Sequence, residues 1–144
     1  MSEQENIKVA HAFFEAWNAG DLSRTAAYET GDFMAEGPGA AGPMNAEQNR
    51  MYLQNFLTAF PGSKFDILLT IAQGDYIVVH WKVGGGAHTG PLRTPSGSII
   101  PPTGKTATVV GSSTSQIKNG KISHSWAFWD MASLLGQLGL LPPM

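Results

Sequence analysis

The chain changes its hydrophobic period once, near Lys64. Before that point apolar residues recur at helical spacing, and after it they alternate. Ile7, Ala10, Phe14 and Trp17, flanked by Phe13, form a stripe at intervals of three and four, which predicts a first helix. Ser2 and Glu5 have capping-box spacing ahead of it, and Asn18-Ala19-Gly20 ends it. Asp21 is placed to cap a short second helix running from Leu22 towards Tyr28. The stretch Glu36-Gly37-Pro38-Gly39-Ala40-Ala41-Gly42-Pro43 is too rich in small residues for regular structure and reads as a loop. Asn45 caps a third helix carrying Tyr52, Phe56 and Phe60 on one side, and Pro61-Gly62 stops it.

From Lys64 onward the pattern predicts strands. Phe65, Ile67, Leu69 and Ile71 alternate, as do Ile77, Val79, Trp81 and Val83. A three-residue loop, Gln73-Gly74-Asp75, pairs Ile71 with Ile77 and Phe65 with Val83, sets Asp66 opposite Lys82, and gives both strands one apolar face. Gly84-Gly85-Gly86 breaks the second strand, and a Pro/Gly/Ser-rich loop follows to Thr103. A third strand is expected from Lys105 to Ile117. Asn119-Gly120 then signals a two-residue type I′ turn into a fourth. In that register Ser115 faces His124, Ser113 faces Trp126, Gly111 faces Phe128 and Val109 faces Asp130. Period two puts His124, Trp126, Phe128 and Asp130 on one side, opposite small residues, a pattern that leaves a hollow with hydroxyls near it. A short helix closes the chain after Met131. Helices and strands are segregated, so the expected class is α+β, with a strongly curved, mostly antiparallel sheet wrapping three helices into a cone with a blind pocket.

The chain has 144 residues, which suits a single domain over residues 1–144. A formal charge of -2, with scattered lysines and arginines, argues against nucleic acid or an anionic membrane as partner. Cysteine is absent, so disulfides, thiolate metal sites and cysteine nucleophiles are excluded. The acidic start Met1-Ser2-Glu3-Gln4-Glu5 is wrong for a signal peptide, and no apolar run reaches the roughly 18–20 residues of a membrane span. A cytoplasmic location is the expectation.

In sequence order, Phe13 through Leu22, Ala59-Phe60-Pro61, Gln73-Gly74-Asp75, His80-Trp81, His88-Thr89-Gly90, Pro101 through Lys105, Asn119 through Ile122 and Trp126 through Gly139 resemble the SnoaL-like polyketide cyclases of the NTF2-like superfamily. The resemblance implies a cone-shaped α+β barrel, dimeric or larger, enclosing a pocket. It also implies ring closure by intramolecular aldol condensation without metal or cofactor. The chain departs from the family in two places. The histidine common in the stretch matching Asp32-Phe33-Met34-Ala35-Glu36 is absent, and Trp126 stands where an acid/base aspartate would fall, two positions past His124.

Three residues are candidates for acid–base chemistry. Asp130, desolvated by Trp126, Phe128 and Trp129, is placed to remove a proton alpha to a carbonyl; its alternative job is to cap the terminal helix. His124 could orient a carbonyl or shuttle a proton, or simply bond to water or to Ser115. Six residues of strand span roughly 20 Å at about 3.3 Å each, so His124 and Asp130 cannot form a hydrogen-bonded dyad along it. His88 is expected at the pocket mouth or in solvent. His80 and His11 read as structural, and the four histidines lack metal-ligand spacing, so no metal is expected. Trp17, Tyr28, Tyr52, Trp126 and Phe128, with the Ser113 hydroxyl, are expected to hold an apolar, polyketide-like ligand. Gly84-Gly85-Gly86 is no phosphate loop, and Arg24, Arg50 and Arg93 all lie outside the final strands, against a carboxylate–arginine epoxide hydrolase. Two function classes follow: a cofactor-independent enzyme, whether cyclase, isomerase or hydroxylase, and a binding protein without turnover.

Overall fold

A computed structural model describes residues 2–141. The Ser2 hydroxyl accepts the Glu5 backbone N–H at 3.1 Å and starts helix α1 (Glu3–Asn18), which buries Ala10, Ala16 and Trp17. Asp21 caps the next element through the Ser23 N–H, but this is a 3-10 helix, Leu22–Tyr28, not an α-helix. Strand β1 (Glu29–Glu36) follows where no strand was expected; only Phe33 and Ala35 supply buried apolar alternation, too little for a periodicity signal. The two-residue strand β2 (Met44–Asn45) leads into α2 (Ala46–Ala59), whose start is a full capping box between Asn45 and Gln48.

Strands β3 (Lys64–Gln73) and β4 (Tyr76–Gly84) form the expected hairpin with a different turn. Gln73 pairs with Tyr76 across a two-residue turn, and a bulge at Leu68 restores the anticipated Ile67–Trp81, Asp66–Lys82 and Phe65–Val83 pairs. On the turn side of the bulge Leu69 and Ile71 face away from the core, beside His80 and Val78, so the single shared apolar face holds only for the far half. The Pro/Gly/Ser segment contains a small hairpin, β5 (Leu92–Arg93) with β6 (Ile99–Ile100). The next strand, β7 (Val109–Lys118), starts four residues later than expected, Lys105 through Thr108 making only a single bridge, Thr106 to Ala87.

Asn119 and Gly120, both at positive φ (52° and 78°), turn β7 into β8 (Lys121–Trp129). Lys118 pairs with Lys121 and Ile117 with Ile122, as a two-residue turn requires. Then the register slips: Gln116 pairs with His124, leaving Ser123 as an extra residue whose hydroxyl donates to the Gln116 carbonyl at 3.2 Å. One extra residue exchanges the two faces of everything beyond it. Ser115 therefore lies opposite Ser125, Ser113 opposite Ala127 and Gly111 opposite Trp129, which corrects the expected pairs. His124, Trp126 and Phe128 point to the far side of the sheet.

The sheet order is β2-β1-β8-β7-β4-β3, with β1 and β8 parallel and the other pairs antiparallel. It is mixed and open, a curved α+β layer under α1 and α2, and α3 (Met131–Gln137) closes one end through Leu134 and Leu138. Among the described residues, no helix is long and apolar enough to cross a membrane.

Gly111 shows how tightly the sheet floor is drawn. A Cβ there would lie 2.5 Å from the Trp81 indole and 2.8 Å from the Phe128 carbonyl oxygen. Gly111→Ala should thus force Trp81 out of place and destabilise the fold by about 1–3 kcal/mol, measured as a shift in the urea unfolding midpoint. Unchanged stability would mean that Trp81 moves freely.

Candidate functional site

The helices cover one face of the sheet without filling the space beneath them. A cavity open to solvent remains, of about 160 Å³. That is several times the roughly 30 Å³ that one water occupies, the scale of a small organic molecule. The helical wall is aromatic, with Phe13, Phe14 and Trp17 from α1 and Tyr52 and Phe56 from α2. The sheet floor is small and hydroxylated: Ser113 and Ser115 from β7, Ser125 and Ala127 from β8. Trp81 and Trp129 flank that floor, Asn49 adds an amide, and Glu36, the last residue of β1, stands at the rim.

Polar ends hold the rings in place. The Trp81 Nε1–H donates to Ser113 Oγ at 2.9 Å, and the Trp17 Nε1–H donates to the Ser63 carbonyl at 3.1 Å. Edge-on contacts with centroids 5.0–5.3 Å apart run from Trp17 through Phe65 to Trp81, and from Tyr52 through Phe56 to Trp129. The Tyr52 hydroxyl donates to the Pro38 carbonyl at 2.7 Å. Burial pushes its pKa up to about 12, against a smaller opposing hydrogen bond from Trp129, so it is a neutral donor near neutral pH. Glu36 and Tyr52 are the ionisable side chains of this lining among the described residues. Glu36 is bonded, Oε2 to His124 Nε2, at 2.7 Å.

The expected site residues divide. Trp17, Tyr52 and Ser113 line the cavity. Tyr28 does not; it ends the 3-10 helix in an exposed position. Trp126 and Phe128 lie on the outer face because of the Ser123 bulge, and Phe128 is 70% exposed. His124 lies on that face too, stacked on Trp126 with centroids 4.0 Å apart. Asp130 is the N-cap of α3, its Oδ1 accepting the Ser133 N–H at 2.9 Å, and it does not border the cavity. The correction has one cause: the inward set of β8 is Ser125, Ala127 and Trp129, the other parity. Nothing in the order of residues marks Ser123 as unpaired, although the small size of Ser125 and Ala127 opposite Ser115 and Ser113 fits a hollow better than paired bulky rings do.

Two features went unsuspected. Glu36 was read as the start of a loop. Glu29, its side chain 4% exposed, pairs with Arg50 at 2.6 Å and ties β1 to α2 behind the cavity wall. A second hollow, about 480 Å³ and polar, lies at the β7–β8 turn around Asp75, Lys118 and Asn119; it has none of the cavity's aromatic walls. Among the described residues, no three His, Cys, Asp or Glu side chains converge as metal ligands.

The comparisons with known proteins agree with this architecture. The family model for SnoaL-like polyketide cyclases matches residues 7–138, and the chain belongs to that family. AclR of Streptomyces galilaeus, provisionally described as a hydroxylase, superposes with a TM-score of 0.84 at 22% identity over 99% of this chain and 90% of its own. IdmH of Streptomyces antibioticus, provisionally a polyketide cyclase, gives 0.77 at 23% identity over 93% and 98%. A SnoaL-like protein of Jannaschia sp. CCS1, also a provisional polyketide cyclase, gives 0.83 at 19% over 98% and 95%. At such identities these likenesses speak for the fold alone. No curated protein matches the sequence at a significant level.

His88, expected at the pocket mouth, is instead fully buried behind Phe60, whose ring it stacks on at 5.0 Å. The Thr103 N–H donates to its Nδ1 at 3.2 Å, which leaves the proton on Nε2, an atom with no partner. Burial lowers the pKa of the ring from 6.5, with a weaker opposing effect from the Gly90 backbone. The unfolded chain therefore binds this proton more readily than the folded one. The stability His88 allows at neutral pH is lost as pH falls below about 6.5, at a rate of up to about 1.4 kcal/mol per pH unit. Urea unfolding at pH 7.5 and 5.5 should show a smaller acid loss for His88→Gln than for the parent. An equal loss in both would assign the pH dependence to other groups.

Proposed function

We propose that this chain is a cofactor-independent SnoaL-type enzyme. It binds an apolar, carbonyl-bearing molecule of polyketide type and closes a ring in it by intramolecular aldol condensation under general acid–base catalysis. The observation that carries this reading is the cavity itself: aromatic walls that grip flat apolar surface, facing a floor of serine hydroxyls that can hold carbonyl oxygens. An enolate in such a site needs a placed base and few waters around it, and the aromatic walls leave little polar surface to hold water. Of the three residues expected to supply acid–base chemistry, His124 alone bonds an ionisable residue of the lining, Glu36. A second reading, binding without turnover, is favoured by the scarcity of ionisable side chains in the lining.

The test pairs two variants with a panel of aromatic polyketide esters bearing β-dicarbonyl groups. Ala127→Leu fills the floor and should abolish binding, measured by tryptophan fluorescence, together with turnover. Asp130→Asn keeps a helix cap on the outer side and should leave both within about twofold, since asparagine caps as well as aspartate. Binding by the parent without ring closure would support the binding protein over the enzyme. Binding that survives Ala127→Leu would remove the cavity from the account.

We also propose that a second copy of the chain packs on the outer sheet face. Leu69, Ile71, Tyr76, Val110 and Phe128 share that face and are 47–70% exposed. Apolar side chains grouped in this way on one sheet mark an interface, and a two-fold pairing would cover both copies at once. Light scattering on a sizing column should give twice the chain mass for the parent and one chain mass for Ile71→Lys/Phe128→Lys. A monomeric parent would overturn this.

A further inference from the structure

We infer that Asn49 is the residue by which the cavity selects its ligand, and that the group it recognises is a carbonyl with a hydroxyl on the neighbouring carbon. The inference rests on the cavity reading above and names the chemistry that its helical wall takes.

Asn49 follows directly on the capping box that fixes where α2 starts. Tyr52, Leu53 and Phe56 line the cavity from the same helix, three, four and seven positions further on, so helical spacing puts all four side chains on one face. The next residue, Arg50, turns aside to pair with Glu29 of β1 at 2.6 Å, which fixes how the helix is rotated over the sheet. Asn49 is 7% exposed, and among the described residues no group of the fold bonds its amide.

The other polar groups of the helical wall are engaged within the fold. The Trp17 Nε1–H donates to the Ser63 carbonyl, and the Tyr52 hydroxyl to the Pro38 carbonyl. Each gives up its single proton there. The Asn49 amide differs from them, and also from the unpaired Asn6 Oδ1 and Ser63 Oγ, which are sealed in the packing; it keeps contact with the open space of the cavity. An amide set unpaired among rings destabilises a fold. Leucine would suit the wall and the helix better. That penalty is offset when a ligand brings the missing partners.

Which partners fit follows from the amide itself. It presents a carbonyl acceptor and N–H donors side by side, without charge. A hydroxy ketone meets both: its carbonyl oxygen accepts the Asn49 N–H, and its hydroxyl donates to the Asn49 carbonyl. A simple ketone meets one, and a hydrocarbon neither. A carboxylate ligand would set its charge against the Asn49 carbonyl, and among the described residues the lining holds no lysine or arginine to balance it. Polar groups that the wrong ligand leaves unpaired discriminate more sharply than apolar fit does.

Three ligands on one fused skeleton separate these cases: tetralin with no oxygen, 1-tetralone with a carbonyl, and 2-hydroxy-1-tetralone with a carbonyl beside a hydroxyl. Dissociation constants for the full chain are read by NMR titration. Asn49→Leu keeps a similar volume and removes the amide; Asn49→Ala removes it without crowding the wall, so the result does not hang on one variant folding. Relative to tetralin, both variants should bind 2-hydroxy-1-tetralone about 10-fold more weakly than the parent and 1-tetralone about 3-fold more weakly, as the loss of two neutral hydrogen bonds and of one requires. Each value is a ratio to tetralin, so a general loosening of the wall cancels. Equal relative losses for the two oxygenated ligands would overturn the hydroxy ketone as the recognised group. No relative loss, with the parent binding all three, would overturn the role of Asn49 and leave the cavity reading intact. A parent that binds none of them would sink the cavity reading and this inference together.

Discussion

One unpaired residue in the last hairpin governs what the cavity contains. The turn at Asn119-Gly120 fixes Ile117 opposite Ile122, both buried, and the bulge at Ser123 then exchanges the faces of β8. A regular ladder would aim His124, Trp126 and Phe128 inward and fill the space above the sheet with rings and charge. With the bulge the inward set is Ser125, Ala127 and Trp129, and the space stays open. Bulges near functional surfaces commonly re-aim side chains in this way. Here the bulge also brings His124 level with Met34 on β1, within reach of Glu36.

Keeping a hollow open needs rigidity, because each wall atom facing empty space lacks dispersion partners. Two devices supply it. The floor is built from residues too small to collapse into the gap, with Gly111 letting the Trp81 indole lie across the strands. The walls are tryptophans and phenylalanines in edge-on contact, with indole N–H groups tied to Ser63 and Ser113 so that the rings cannot swing inward. An apolar ligand would recover the missing contacts, and binding of this kind is often driven by enthalpy.

Much of the framework was legible in the order of residues. The caps at Ser2, Asp21 and Asn45, the aromatic side of α2, the Asn119-Gly120 turn and the α+β class follow from local chemistry that tertiary context did not override. Strand β1 was not legible, because its partner lies far along the chain and it carries little apolar alternation of its own. The inward face of β8 was misjudged because alternation shows that two faces exist and not which of them is inside; one bulge decides that. Asp130 offered two roles, and the Ser133 N–H shows its contact in the fold to be that of a helix cap. Glu36 escaped notice because a glutamate ahead of Gly-Pro-Gly resembles any loop entrance.

The parallel seam between β1 and β8 also carries a kinetic consequence. Glu36 and His124 are 88 positions apart, and the other neighbour of β1 in the sheet is only the two-residue β2. Non-local pairing of this kind must close a long loop before it returns any stabilisation, which slows folding. On the ribosome, α1 and α2 emerge and can coil long before β8 exists, so their aromatic sides must wait uncovered. The chamber is thus among the last parts of the molecule to be assembled, and its greasy halves are exposed to other chains until then.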